Sequence, residues 1–192
     1  MKARFHLLTS VLVVAVTVAV MSGPATAAPA SSNTGQVQLN AILNEQISIT
    51  LSGATTVNFT LAPNTASNPG VGTTSVLTQW ILKPGRTNVQ VWAYFTTTTA
   101  LSSTTGGTAT IPSSAVGIQV GGVGGFTACS TVSPFNAAAS GMLISNTAIT
   151  PNTNNTSSRT DSLAYNIDTT VVPQLPADSY SGTLNIQAQA QP

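Results

Sequence analysis

From Tyr180 to Gln191 the residues sort by parity. Tyr180, Gly182, Leu184, Ile186, Ala188 and Ala190 form one set, and Ser181, Thr183, Asn185, Gln187, Gln189 and Gln191 the other. Successive side chains of an extended strand point to opposite faces, so this period of two sets one face on a core and the other in water. The same period recurs in Val37, Leu39, Ala41 and Leu43, in Ile47, Ile49 and Leu51, and in Val57, Phe59 and Leu61. It continues through Val76 to Leu82, Val89 to Phe95, Val116 to Val120, Phe126 to Val132, Met142 to Thr150 and Leu163 to Ile167. Ala137 to Ala139 allow one short helical turn at most, and no stretch keeps helical spacing over several turns. About eight to ten strands joined by turns predict an all-β fold, an antiparallel β-sandwich of immunoglobulin-like or pilin-like type.

Polar, Gly- and Pro-rich stretches mark the connections. They are Ala62 to Gly72, Lys83 to Arg86, Thr96 to Thr110, Gly121 to Gly125 and Pro151 to Ser158. The Gly121 to Gly125 run has neither the Lys-Ser/Thr ending nor the following helix of a phosphate loop, and reads as a turn.

The first thirty residues have a different character. Lys2 and Arg4 precede a mostly apolar run from Leu7 to Met21, and small residues follow at Ala25, Ala27, Ala28 and Ala30. This is the pattern of a secretory signal peptide, with cleavage expected after Ala27 or Ala30. The run is shorter than the roughly 20 apolar residues of a spanning helix. The sequence therefore predicts a signal over residues 1–30, a single β-sandwich domain over residues 31–192, secretion to the periplasm, cell surface or medium, and no membrane insertion after cleavage.

Export leaves a chain poor in reactive chemistry. His6 is the only histidine and lies inside the leader. Residues 31–192 carry Lys83, Arg86 and Arg159 against Glu45, Asp161, Asp168 and Asp178, a net charge of three minus four, or minus one. Nucleic-acid binding needs clustered Lys and Arg, which this chain lacks. About 70 of those 162 residues are Ser, Thr, Asn or Gln, which hydrate a surface without charge. General acid–base catalysis and zinc ligation both draw on His or several Cys, so no catalytic residue, metal site or cofactor is expected and the chain reads as no enzyme. Asp161 and Asp168, seven residues apart, fall on opposite faces of one strand and are expected as exposed carboxylates, Asp161 paired weakly with Arg159. Cys129 is the only cysteine, so no internal disulfide forms, and a buried thiol is expected.

Two sets of residues are candidates for binding. Trp92 and Tyr94 share a face and are bordered by Gln90 and Asn88; if exposed they suit stacking on a cell-surface glycan, and if covered they shield apolar surface. Val37, Leu39, Ala41 and Leu43 are the other set.

Gln36 to Leu51 and Leu175 to Ala190, the latter with its Tyr180-Ser181-Gly182 turn into an alternating strand, resemble exported bacterial pilin-like sandwiches. The likeness is to major pilins of the alternate chaperone–usher kind and to the spore-coat-protein-U-like group. The resemblance implies an incomplete sandwich whose groove takes the N-terminal strand of the next subunit, through main-chain hydrogen bonds and alternate side chains. Val37, Leu39, Ala41 and Leu43 match the position of that donor segment. Two departures stand beside the match: only about five residues precede Gln36 after the expected cleavage, and no aromatic residue closes the chain. Gln36 to Leu43 are thus either a donor strand or an edge strand of a self-contained monomer. The sequence points to a structural or adhesive surface protein, as a fibre subunit partnered by itself, or alternatively a carbohydrate-binding module.

Overall fold

A residue with alternating neighbours becomes part of a sheet only where another strand offers a ladder, and the computed structural model shows which segments find one. It describes residues 29–135 and 137–192 of the 192. The expected leader, except for Pro29 and Ala30, lies outside the described residues. The chain divides into two units, Met1–Ala41 and Ile42–Pro192. In the first, residues 29–41 form no strand, so Val37, Leu39 and Ala41 belong to no sheet edge. The expected edge strand is corrected here: a ladder needs a partner, and among the described residues this segment pairs with none.

Every strand among the described residues lies in the second unit. In chain order they are β1 (Gln46–Gly53), β2 (Asn68–Pro69), β3 (Thr74–Ile81), β4 (Asn88–Tyr94), β5 (Thr99–Ser103), β6 (Thr110–Pro112) and β7 (Val116–Val120). Then follow β8 (Thr127–Ala128), β9 (Thr131–Ser133), β10 (Ala137–Ala148), β11 (Thr156–Ile167), β12 (Tyr180–Ser181) and β13 (Asn185–Gln191). All pairings are antiparallel. One sheet runs β1-β3-β11-β7-β8 with β2 on β11, a second runs β13-β4-β10-β9, and a small third runs β12-β5-β6.

The two larger sheets share one core, which makes the fold sandwich-like. Val76 of β3, Ile118 of β7 and Leu163 and Ile167 of β11 pack with Val91 and Ala93 of β4 and Ile144 of β10. Each belongs to the apolar set of its own strand, as a half-buried sheet requires. A smaller cluster of Trp80, Leu82, Val89 and Ile149 closes the other end. Leu163 is fully buried, and its truncation to Ala is expected to cost about 3 kcal/mol. The check is a lowered denaturant midpoint at unchanged slope.

Several strand expectations are corrected. The Thr96 to Thr110 stretch holds β5 and the start of β6 rather than a loop, because its Thr and Ser residues extend around buried Ala100 and Ile111. Ala137–Ala148 is one twelve-residue strand that includes the three alanines expected to turn helically. The closing segment is split: β12 pairs with β5 in the small sheet, whereas β13 pairs with β4. Gly182 sits at the break, so close to the backbone of Ala100 that a Cβ would overlap its carbonyl oxygen.

Candidate functional site

Beyond Gly53 the chain keeps alternating through Val57, Phe59 and Leu61, yet it meets only one isolated bridge, Phe59 to Gly70. Ala54 N–H donates to Thr73 O and Val71 N–H to Asn58 O, both at 2.9 Å, which hold the segment along the margin of the larger sheet. β1 pairs only with β3, and β13 only with β4, among the described residues.

Facing Val57–Leu61 across a gap is the segment from Leu175 to Ile186. Its geometry is fixed by Asp178, whose carboxylate accepts from Ser103 Oγ, from Thr105 Oγ1 at 2.6 Å and from the Ser179 N–H at 2.7 Å. Tyr180 Oη donates to Pro176 O at 2.8 Å and tightens the same turn. Thr104 N–H donates to Ser179 O at 2.8 Å, tying the turn to the β5–β6 region.

Between these walls runs a groove of about 890 Å³, floored by Phe95, Val116, Tyr165 and Ile167. Twelve apolar residues pack on the main core while only half buried, and eight of them line this groove: Val57, Phe59, Leu61, Leu101, Leu175, Tyr180, Leu184 and Ile186. The sandwich is thus uncovered along one seam, whose lining mixes these apolar side chains with Thr, Ser and Asn residues such as Thr55, Asn58, Thr169 and Thr183. A slot of this kind beside strand edges fits an extended polypeptide better than a compact solute.

Asp178 makes one wall sensitive to acid. Hydrogen bonds from the Ser103 and Thr105 hydroxyls and the Ser179 amide hold its carboxyl below the ordinary value of 3.8. A depressed native pKa means that the stabilisation is present above 3.8 and is lost as pH falls through the lowered value. Protection of the Ser179 and Thr104 amides, measured relative to the intrinsic exchange rate at each pH, is therefore expected to fall on acidification below about pH 4. Asp178→Asn is expected to remove that acid step.

The sequence-level candidates fall as follows. Val37, Leu39, Ala41 and Leu43 are exposed and outside any strand, Leu39 at 89% and Leu43 at 79%. The root of that segment is held: Glu45 accepts from Arg86 Nε at 2.8 Å and Arg86 Nη2 at 2.9 Å, with Lys83 Nζ at 3.9 Å. The hydrogen bond from Arg86 lowers the Glu45 pKa, and the carboxylate raises that of Arg86.

Trp92 and Tyr94 lie on the outer face of β4, but Trp92 is only 9% exposed. Gln187 and Leu143 flank it in register on the neighbouring strands, and its Nε1 donates to Gln90 Oε1 at 3.2 Å. Tyr94 packs on Phe135 with ring centroids 5.5 Å apart and donates to Gln187 Oε1 at 3.0 Å. The two rings thus mostly cover their own sheet, and neither stands free in the manner of a sugar-stacking platform.

Asp161 is 4% exposed rather than open to solvent, because it shares the inward face of β11 with Leu163, Tyr165 and Ile167. Arg159 meets it at 2.9 Å from both Nε and Nη2. Among the described residues no three His, Cys, Asp or Glu side chains gather as a metal site would need. No described helix is long and apolar enough to cross a membrane. Cys129 is fully buried, and burial pushes its thiol up to about 12.

The resemblance implies a groove, but the sequence does not say which residues line it, and Val57, Phe59 and Leu61 read simply as a strand. The groove's one available signal was an apolar alternating run bounded by turns with no obvious hairpin mate. Comparison with protein-family models and with curated proteins returns no match for this chain.

Proposed function

We propose that this protein is a secreted structural or adhesive surface component, a fibre subunit that assembles by strand addition. The observation that carries the reading is the seam of half-buried apolar side chains between Val57–Leu61 and Leu175–Ile186, where the sandwich lacks a strand. An extended segment laid there gains main-chain hydrogen bonds from both margins and buries alternate side chains against Phe95, Tyr165 and Ile167. The resemblance of Gln36–Leu51 and Leu175–Ala190 to pilin-like sandwiches supports the same reading, as does a surface rich in neutral amides and hydroxyls. The carbohydrate-binding alternative draws less support, since it relies on rings that are packed rather than presented.

Electron microscopy of the purified secreted chain tests the proposal. Filaments or linear multimers are expected. A strictly monomeric population at high concentration would remove the fibre reading.

A further inference from the structure

The larger sheet has a second face, turned away from the core and the groove. On β3 the inward set is Thr74, Val76, Thr78 and Trp80, all buried, so Ser75, Leu77, Gln79 and Ile81 point outward. The register of β1 and β11 extends that outward set sideways. Thr50, Leu77 and Thr160 make one row, and Ser48, Gln79 and Ser158 the next. With the rows above and below, these three strands present twelve outward positions: eight hydroxyls, two amides, two aliphatic side chains and no charge.

The polar groups of this face are unspent. On the outer face of the second sheet Trp92 Nε1 donates to Gln90, Tyr94 Oη to Gln187 and Gln191 Nε2 to Gln189. Among the described residues none of the hydroxyls and amides on the β1-β3-β11 face makes such a side-chain hydrogen bond, and Thr50, Gln79, Ser158 and Thr160 are exposed. Down the middle, Leu77 and Ile81 are half-buried and form an aliphatic stripe with polar side chains on both sides. Around Ile81 the face dips into a hollow of about 420 Å³ bordered by Gln46, Ser48, Gln79, Thr156 and Ser158.

These properties select a partner. A polyanion finds no cation here. A protein partner gains little, because the desolvated centre of a protein interface is apolar and aromatic. A neutral sugar matches both parts, with C–H faces for the stripe and hydroxyl edges for the amides and hydroxyls beside it. From Ser75 to Ile81 the face is six residues or about 20 Å long, and its three strands span about 10 Å, more than one ring covers. The twist of a sheet turns successive strands, so a single flexible chain follows such a surface where a flat crystal lattice does not. We infer that the outer face of β1, β3 and β11 binds a neutral soluble polysaccharide laid along β3. Ring faces lie on Leu77 and Ile81, and hydroxyls meet Gln46, Gln79 and the flanking Ser and Thr side chains. The face uses no part of the groove, so it stands whether or not subunits add strands.

Calorimetric titration of the full secreted chain with cellohexaose, mannohexaose and maltohexaose tests this, with an oligogalacturonate of equal length as the charged control. Binding of at least one neutral hexasaccharide and none of the oligogalacturonate is expected. Gln46→Ala with Gln79→Ala removes two neutral hydrogen bonds and should weaken that binding about tenfold. Leu77→Asp, which sets a charge in the stripe, should abolish it. Far-ultraviolet circular dichroism should match the parent in both variants. Should either variant misfold, Thr160→Ala, at a fully outward position, is expected to weaken binding on its own. No heat with any neutral hexasaccharide, equal binding of the oligogalacturonate, or binding that survives the substitutions in folded protein would overturn the inference. Filaments seen without sugar binding leave the fibre reading in place, and sugar binding by a strict monomer removes the fibre reading alone.

Discussion

Removing Ser31 to Leu43 is expected to abolish multimers while leaving the sandwich folded and exported. The deleted stretch contributes to no strand and has no part in the core, so far-ultraviolet circular dichroism should keep its sheet signature. On the strand-addition reading, what is lost is the occupant of the groove. Burying Val37, Leu39 and Leu43 contributes about 1.5–3 kcal/mol each, before the backbone ladder is counted. A loss of even about 4 kcal/mol per junction weakens association roughly a thousandfold. Light scattering after size exclusion should therefore report monomers where the intact chain elongates. Leu39→Asp should act in the same direction, since a carboxylate in an apolar slot without a partner is costly. Multimers that survive the deletion would place the contact elsewhere.

The second large effect is expected from Gly182→Val. Most substitutions along β12 and β13 fall on half-exposed positions, but a side chain at 182 meets the Ala100 carbonyl, which is backbone and cannot swing away. Relief requires moving β5 or separating it from β12, and overpacking of this kind costs about 3 kcal/mol. The same displacement carries Tyr180 and Leu184 with it, so the groove wall is lost along with stability. Thermal unfolding and assembly should fail together in this variant. In Leu163→Ala, whose defect is confined to the core, assembly should persist at temperatures where the fold survives.

Period-two alternation was enough to read most of the larger sheet, since Ile47 to Leu51, Val76 to Leu82 and Leu163 to Ile167 each give one buried face on a paired strand. Alternation reports a buried face, however, and says nothing about whether a ladder exists. Val57, Phe59 and Leu61 carry the pattern because they pack on the core, but among the described residues they make one isolated bridge rather than a ladder. The converse holds for β5 and β6, where pairing partners exist but Thr and Ser disguise the strands as loop. Asp161 was misjudged by residue type when its parity with Leu163, Tyr165 and Ile167 already set it inward. The break at Gly182 could not be read because periodicity runs through it; only the approach of Ala100 in three dimensions reveals why glycine stands there.

Cys129 carries a last consequence. A thiol sealed in the core and held protonated at any ordinary pH neither reacts with oxidants nor reaches a neighbour. On the strand-addition reading, no disulfide through Cys129 joins folded subunits, so denaturant should dismantle any multimer without reductant, and dilution back into buffer should let it regrow from its own pieces.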